Sequence, residues 1–281
     1  MKTLQEMYTL SNGVGVPKIG FGTWQIADGP VCYDAVATAL ADGYRHIDTA
    51  HAYGNEGSVG RAVRDSGIDR GDIFVTSKLP AEVKSYDGAL ASFEATMAAL
   101  TLDYLDLYLI HAPWPWEHMG DDYAAQNREV WRAFEQIYAT GRVRAIGVSN
   151  FDVADLRAIL GDCQVKPMVD QIKYFIGNTQ SGIVNFCNDN GIQVGGFSPL
   201  ATGAILENRD VAAIARRYQK TVPQICIRFV LQNGVIPLPK SVTPERILQN
   251  TDVDFTISDA DMNVLNGLVD TVTVHYGPKK A

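Results

Sequence analysis

Four side chains of unlike chemistry stand out in the sequence: Asp48, Tyr53, Lys78 and His111. Each has an ordinary reading on its own. Asp48 suits a helix N-cap, and Tyr53 before Gly54-Asn55 suits a turn. Lys78 suits a strand end from which its stem reaches solvent, and His111 a hydrogen-bonded core position. Together they supply an acid, a phenol, an amine and an imidazole. A free phenol, with a pKa of about 10, is a poor proton donor near neutrality. A neighbouring ammonium stabilises the phenolate and lowers that value, and a carboxylate keeps the ammonium charged and oriented. An imidazole can hydrogen-bond a carbonyl oxygen. Such a set can protonate a carbonyl oxygen while hydride reaches the carbon. No side chain supplies hydride, so this chemistry requires a cofactor.

The four belong together only if the elements carrying them converge. Short, mostly apolar runs predict strands at Ile19–Gly22, His46–Asp48, Ile73–Lys78, Leu105–His111, Ala145–Ser149, Met168–Gln171, Gln193–Phe197 and Val235–Pro237. Little alternation within them fits strands buried on both faces. Helical spacing lies between: Leu90, Phe93, Met97 and Leu100; Val130, Phe134 and Ile137; Ile225, Phe229 and Gln232. Pro223 and Pro244 suit first helical positions, Asn233-Gly234 a helix end, and Ser258 an N-cap. Strand-then-helix units repeated in this way predict one (β/α)8 barrel (α/β class) spanning residues 1–281. Extra helices are expected at Arg209–Gln219 and Ser258–Val269. A hairpin around Asn12-Gly13 is expected to plug the N-terminal mouth. Barrel chemistry sits at the C-terminal ends of strands, and Asp48, Lys78 and His111 end three consecutive ones.

The later strand ends suit a nicotinamide cofactor. Ser149, Asn150 and Gln171 are short polar groups able to hold a carboxamide, and Phe197 offers a flat surface for a ring. After strand eight, Lys240, Ser241 and Arg246 surround a helix start suited to phosphate. No G-x-G-x-x-G follows a strand, which disfavours the Rossmann mode.

The chain has 281 residues, 24 Lys and Arg against 32 Asp and Glu, and a formal net charge of −8. That balance disfavours nucleic acid and anionic membranes. No apolar run approaches a membrane span, and the first residues are too polar for a signal peptide. Cys32, Cys163, Cys187 and Cys226 are irregularly spaced, which argues against a disulfide framework or a zinc site. A cytoplasmic protein with reduced thiols and no metal is expected.

The run Gly43-Tyr44-Arg45-His46-Ile47-Asp48-Thr49-Ala50-His51-Ala52-Tyr53-Gly54-Asn55-Glu56 closely resembles the first signature of the aldo-keto reductases. Gly147-Val148-Ser149-Asn150-Phe151, Leu238-Pro239-Lys240-Ser241 and Leu107-Tyr108-Leu109-Ile110-His111 match later ones. The likeness covers nearly the whole chain and is nearest the prokaryotic, diketogluconate-reductase-like branch. It implies NADPH-dependent reduction of aldehydes and ketones by a monomer, with NADH as the lesser cofactor. It makes Tyr53 the general acid, Lys78 the group that depresses its pKa, Asp48 the partner of Lys78, and His111 the carbonyl orienter. It assigns Ser149, Asn150 and Gln171 to the carboxamide and Phe197 to the nicotinamide ring. Ser198, Leu200 and Gly203 fall near the pyrophosphate. Lys240, Ser241, Val242, Thr243 and Arg246 fall at the 2′-phosphate, and Gln249 and Asn250 near adenine.

The departures concern the substrate. Lys78-Leu79-Pro80 and His111-Ala112-Pro113 stand where the family commonly has tryptophan third and second. Trp24, Pro80 and Trp114 are the expected pocket residues, with Trp116 a further candidate to fill the space. Asp170 stands where asparagine is usual. The short His275–Ala281 terminus implies an open pocket. Two other readings compete: a non-catalytic cofactor-sensing subunit, and a Schiff-base lyase using Lys78. The intact four-residue set weighs against the first. A charged lysine beside Asp48 weighs against the second.

Overall fold

The computed structural model describes residues 2–272. A hairpin leads: β1 (Met7–Thr9) pairs antiparallel with β2 (Gly15–Pro17). Gly13 takes φ 87° at its turn, where a side chain would be strained. Asn12 Nδ2 donates to the carbonyl of Arg144 at 2.9 Å, which ties the hairpin to the start of a barrel strand. The hairpin therefore lies at the N-terminal mouth, as its position in the sequence predicts.

Eight parallel strands follow in chain order: β3 (Phe21–Gly22), β4 (His46–Asp48), β5 (Phe74–Leu79), β6 (Leu105–Ile110), β7 (Val143–Ser149), β8 (Val169–Lys173), β9 (Gln193–Phe197) and β10 (Ile236–Leu238). Every residue of β5 and β6 is buried, which accounts for their mostly apolar character; the polar exceptions are Thr76, Ser77 and Lys78 on β5 and Asp106 on β6. The ring closes between β3 and β10 by hydrogen bonds running one way. Gly20 and Gly22 N–H donate to the carbonyls of Pro237 and Pro239, both at 3.0 Å. In parallel pairing the return bond to Gly20 O would come from residue 239, and proline has no N–H. A Cβ on Gly20 would fall 2.6 Å from Leu238 Cδ2, so glycine permits this approach.

Helices α1 (Pro30–Ala41), α2 (Glu56–Asp65), α3 (Tyr86–Leu100), α4 (Ala124–Ala139), α5 (Val153–Leu160), α6 (Ser181–Asp189), α8 (Val222–Gln232) and α9 (Pro244–Gln249) surround the strands. The additions are α7 (Arg209–Arg217) and α10 (Asp259–Gly267), close to the expected positions. Local chemistry sets several starts. Asp152 and Asp155 form a capping box on α5, Thr221 and Gln224 another on α8, and Ser258 caps α10 through Asp261 N–H. Phe93, Met97, Leu100, Val130, Phe134 and Ile137 are all buried, as helical spacing predicts.

Strand ends differ from expectation by one or two residues. The first barrel strand shrinks to Phe21–Gly22 because its pairing to β10 is incomplete. The fifth starts earlier, at Val143. All four cysteines are free. Among the described residues no helix is long and apolar enough to cross a membrane, and no group of three acidic, His or Cys side chains could hold a metal. The stretch His275–Ala281 lies outside the described residues.

Candidate active site

Asp48, Lys78 and His111 are carried at the ends of β4, β5 and β6, and Tyr53 by a 3-10 turn, His51–Tyr53, just beyond β4. The structure brings all four together. Lys78 is wholly buried, and its Nζ donates to Asp48 Oδ2 and to the carbonyl of Thr49, both at 2.8 Å. The same Nζ lies 3.5 Å from Tyr53 Oη. The Tyr53 and His111 rings meet edge to face, with centroids 5.6 Å apart. Asp48 is thus the counter-ion of Lys78 and caps no helix.

The protonation states follow from this enclosure. Burial pushes the Tyr53 phenol well above 10, and the Asp48 carboxylate adds to the rise. The depression expected from Lys78 is outweighed by this burial, to which the Asp48 charge adds. Burial lowers the Lys78 ammonium, and Asp48 opposes the change. His111 is pulled down to about 3 by burial and then by Lys78, so its ring is neutral. Its buried Nδ1 has no hydrogen-bond partner. The site therefore holds a protonated phenol, a neutral imidazole and a compensated ion pair.

Side chains that the sequence did not single out support this set. Asn55 is fully buried; its Nδ2 donates to the carbonyls of Thr23 and Ile26 (3.0 Å each), and its Oδ1 accepts from Thr49 Oγ1 at 2.8 Å. It anchors the loop after β3, where Trp24 is 41% exposed. Buried Glu56 accepts from Ser77 Oγ at 2.6 Å and pairs with His51 Nδ1 at 2.9 Å. Both partners flank tetrad residues, since His51 opens the turn that carries Tyr53. Asn55 and Glu56 lie within the long signature run, which is where a signal for them existed.

The cofactor candidates lie along the next strand ends. Ser149 Oγ donates to Gln171 O at 2.8 Å, and Asn150 Nδ2 to His111 O at 2.9 Å. Gln171 Nε2 donates to Asp48 Oδ1 at 2.7 Å, so this amide also orients the carboxylate. Phe197 ends β9 half-buried. Beyond it Ser198, Ala201, Thr202 and Gly203 all take positive φ, and such strained backbone gathers at functional loops. Ser198, Leu200 and Gly203 are half-buried there. Lys240, Val242, Arg246 and Gln249 are exposed, Thr243 is half-buried, and Asn250 is buried. Ser241 Oγ accepts from Thr243 N–H at 3.1 Å and so shapes the loop.

At the mouth, Trp116 sits edge-on to His111, with centroids 5.4 Å apart, and Trp114 sits edge-on to Trp116 at 5.4 Å. Trp116 therefore joins Trp114 beside the tetrad. Buried Ala112 and half-buried Pro80 are the small residues at the two departures. Asp170 is wholly buried, and neither carboxyl oxygen has a hydrogen-bond partner.

An eight-stranded parallel barrel with polar groups gathered at its strand ends is an architecture that many enzymes share. The model of the Aldo/keto reductase family matches residues 18–270, and the chain belongs to that family. It is 41% identical to the glyoxal reductase of Bacillus subtilis (strain 168) over 267 residues, 95% of this chain and 94% of the relative. Among solved structures it superposes on MGS-M4, an aldo-keto reductase enzyme from a Medee basin deep-sea metagenome library, with a TM-score of 0.89. Identity there is 39%, over 96% of this chain and 97% of the other. A Bombyx mori aldo-keto reductase in complex with NADP gives a TM-score of 0.84 at 30% identity, over 93% and 92% of the two chains.

Proposed function

We propose that the protein reduces an aldehyde or ketone to the alcohol with NADPH, Tyr53 giving the proton to the carbonyl oxygen. The convergence of Tyr53 Oη, the Lys78–Asp48 pair and His111 at one mouth carries this reading. When bound, the nicotinamide supplies hydride to the carbonyl carbon. The residues that would hold it are Ser149, Asn150 and Gln171 at the carboxamide, Phe197 under the ring, and Ser198, Leu200 and Gly203 along the pyrophosphate. Lys240, Ser241, Val242, Thr243 and Arg246 would take the 2′-phosphate, with Gln249 and Asn250 beside adenine. The donor set fits: amides and hydroxyls at the strand ends, then two exposed cations, Lys240 and Arg246, with no salt-bridge partner among the described residues. That cationic pair favours NADPH over NADH.

Tyr53 keeps its proton at neutral pH because burial and Asp48 disfavour the phenolate. As that proton leaves, charge grows on Oη. The Lys78 ammonium, fixed 3.5 Å away, stabilises the charge there without reorganising. Asp48 holds the ammonium in place, and Gln171 holds Asp48. His111, being neutral, has one ring N–H with which to orient a carbonyl oxygen.

The test is to mix purified protein with NADPH and a panel of aldehydes, α-dicarbonyls and ketoesters and to follow NADPH absorbance. Consumption with at least one carbonyl is expected. No consumption with any of them would sink the reading.

A further inference from the structure

Three consecutive carbonyls after β6 are each held by a side chain from a different element. Asn150 Nδ2, just past β7, donates to His111 O at 2.9 Å. Lys84 Nζ, in the loop between β5 and α3, donates to Ala112 O at 2.7 Å. Asn127 Nδ2, on α4, donates to Pro113 O at 2.7 Å. Lys84 Nζ also donates to Asn127 Oδ1 at 3.0 Å, so the lysine and the asparagine act as one clamp. Asn127 is buried and Lys84 half-buried.

The chain beyond the clamp is stiff. Pro113 and Pro115 fix φ on either side of Trp114, and Pro115 sits at φ −58°. The next residue is Trp116, whose ring meets His111 edge-on while 37% of the residue stays exposed. Anchoring the segment at its root therefore fixes where this indole stands. The loops joined by Lys84 are the two that carry Pro80 and Ala112 in place of tryptophan.

We propose that Lys84 is a positioning residue for substrate: through Ala112 and Asn127 it holds Trp116 beside His111, and the site thereby prefers flat aromatic aldehydes to small aliphatic ones. The proposal rests on the reductase reading above. A charged amine makes the stronger hydrogen bonds to the two oxygens. Burial pulls the Lys84 ammonium down to about 8, against Glu82 on its own loop and Asp155 on α5, which hold it up. The clamp itself presents only an amide and a carbonyl to it. The clamp therefore weakens as pH rises past that value.

The experiment compares kcat/KM for benzaldehyde and propionaldehyde in wild type, Lys84→Met and Lys84→Arg, below and above pH 8, with melting curves for each. The aromatic-to-aliphatic ratio should fall about five-fold in Lys84→Met, the scale of one aromatic contact. It should fall in wild type above about pH 8 and stay flat in Lys84→Arg, which keeps its charge. The pH comparison in wild type needs no variant and decides the matter if Lys84→Met does not fold. An unchanged ratio in a folded Lys84→Met, or a pH-flat ratio in wild type, overturns the role of Lys84. A wild type that consumes NADPH with neither these nor other carbonyls instead overturns the reductase reading beneath it.

Discussion

In the proposed reaction Tyr53 meets two opposed demands: it must hold a proton at rest and release it during turnover. Burial and Asp48 meet the first, and the Lys78 ammonium at 3.5 Å meets the second. Removing the hydroxyl should cost turnover and spare cofactor binding. Tyr53→Phe is expected to lose on the order of 100-fold or more in kcat with NADPH affinity unchanged, checked by steady-state rates and fluorescence titration. Normal turnover would remove Tyr53 from its role. Asp48 makes a different kind of contribution. Asp48→Asn would leave a wholly buried ammonium without its counter-ion, a loss of about 3–5 kcal/mol. A chemical denaturation midpoint equal to wild type would show that the pair does not hold the site.

The elements show where the sequence was readable. Asp48, Lys78 and His111 could be placed because strand ends are marked by a change from apolar runs to polar residues. Tyr53 was reached through the five-residue spacing to Asp48, which a short 3-10 turn accounts for. Long-range polar partnerships carried no comparable mark. The bond from Gln171 to Asp48 joins residues 123 apart, and nothing local distinguishes that glutamine from one reserved for a cofactor. Asn127 reads as an ordinary helix residue until α4 is packed against the segment after His111. Trp116 was one tryptophan among several until the loop was folded. Asn55 lay in plain view within the signature run, yet its task, tying two loops to one turn, is a tertiary one. Asn55→Ala should strand two carbonyls and a threonine hydroxyl, costing about 3 kcal/mol. It should also loosen the Trp24 loop, read as faster amide exchange at Thr23 and Ile26. Wild-type exchange in that variant would contradict the anchoring role.

At the scale of the whole molecule, stability should carry the signature of Asp170. Burial holds its carboxyl well above the ordinary range, and Asp155 and Asp152 add to the rise. The nearby Phe151 N–H opposes it without forming a well-shaped hydrogen bond. The folded protein keeps a proton that the unfolded chain releases at about pH 4. This contribution is fully present below that pH and is lost as pH rises through the raised folded value. Asn at the same position needs no proton. Asp170→Asn should therefore gain on wild type as pH rises from about 5 to about 8. Paired melting curves across that range would show a widening gap, and a constant gap would mean that Asp170 ionises freely. The closure between β3 and β10 has a mechanical meaning of its own. Pro239 leaves the staves of the barrel bolted from one side only at this joint, which is therefore expected to part early under thermal strain. The Trp24 loop leaves from one stave and the Lys240 loop from the other. A gap between them would part the Trp24 loop from the cationic Lys240 loop in one movement. Amides of Gly20 and Gly22 should then exchange faster than those within the β5–β6 pair.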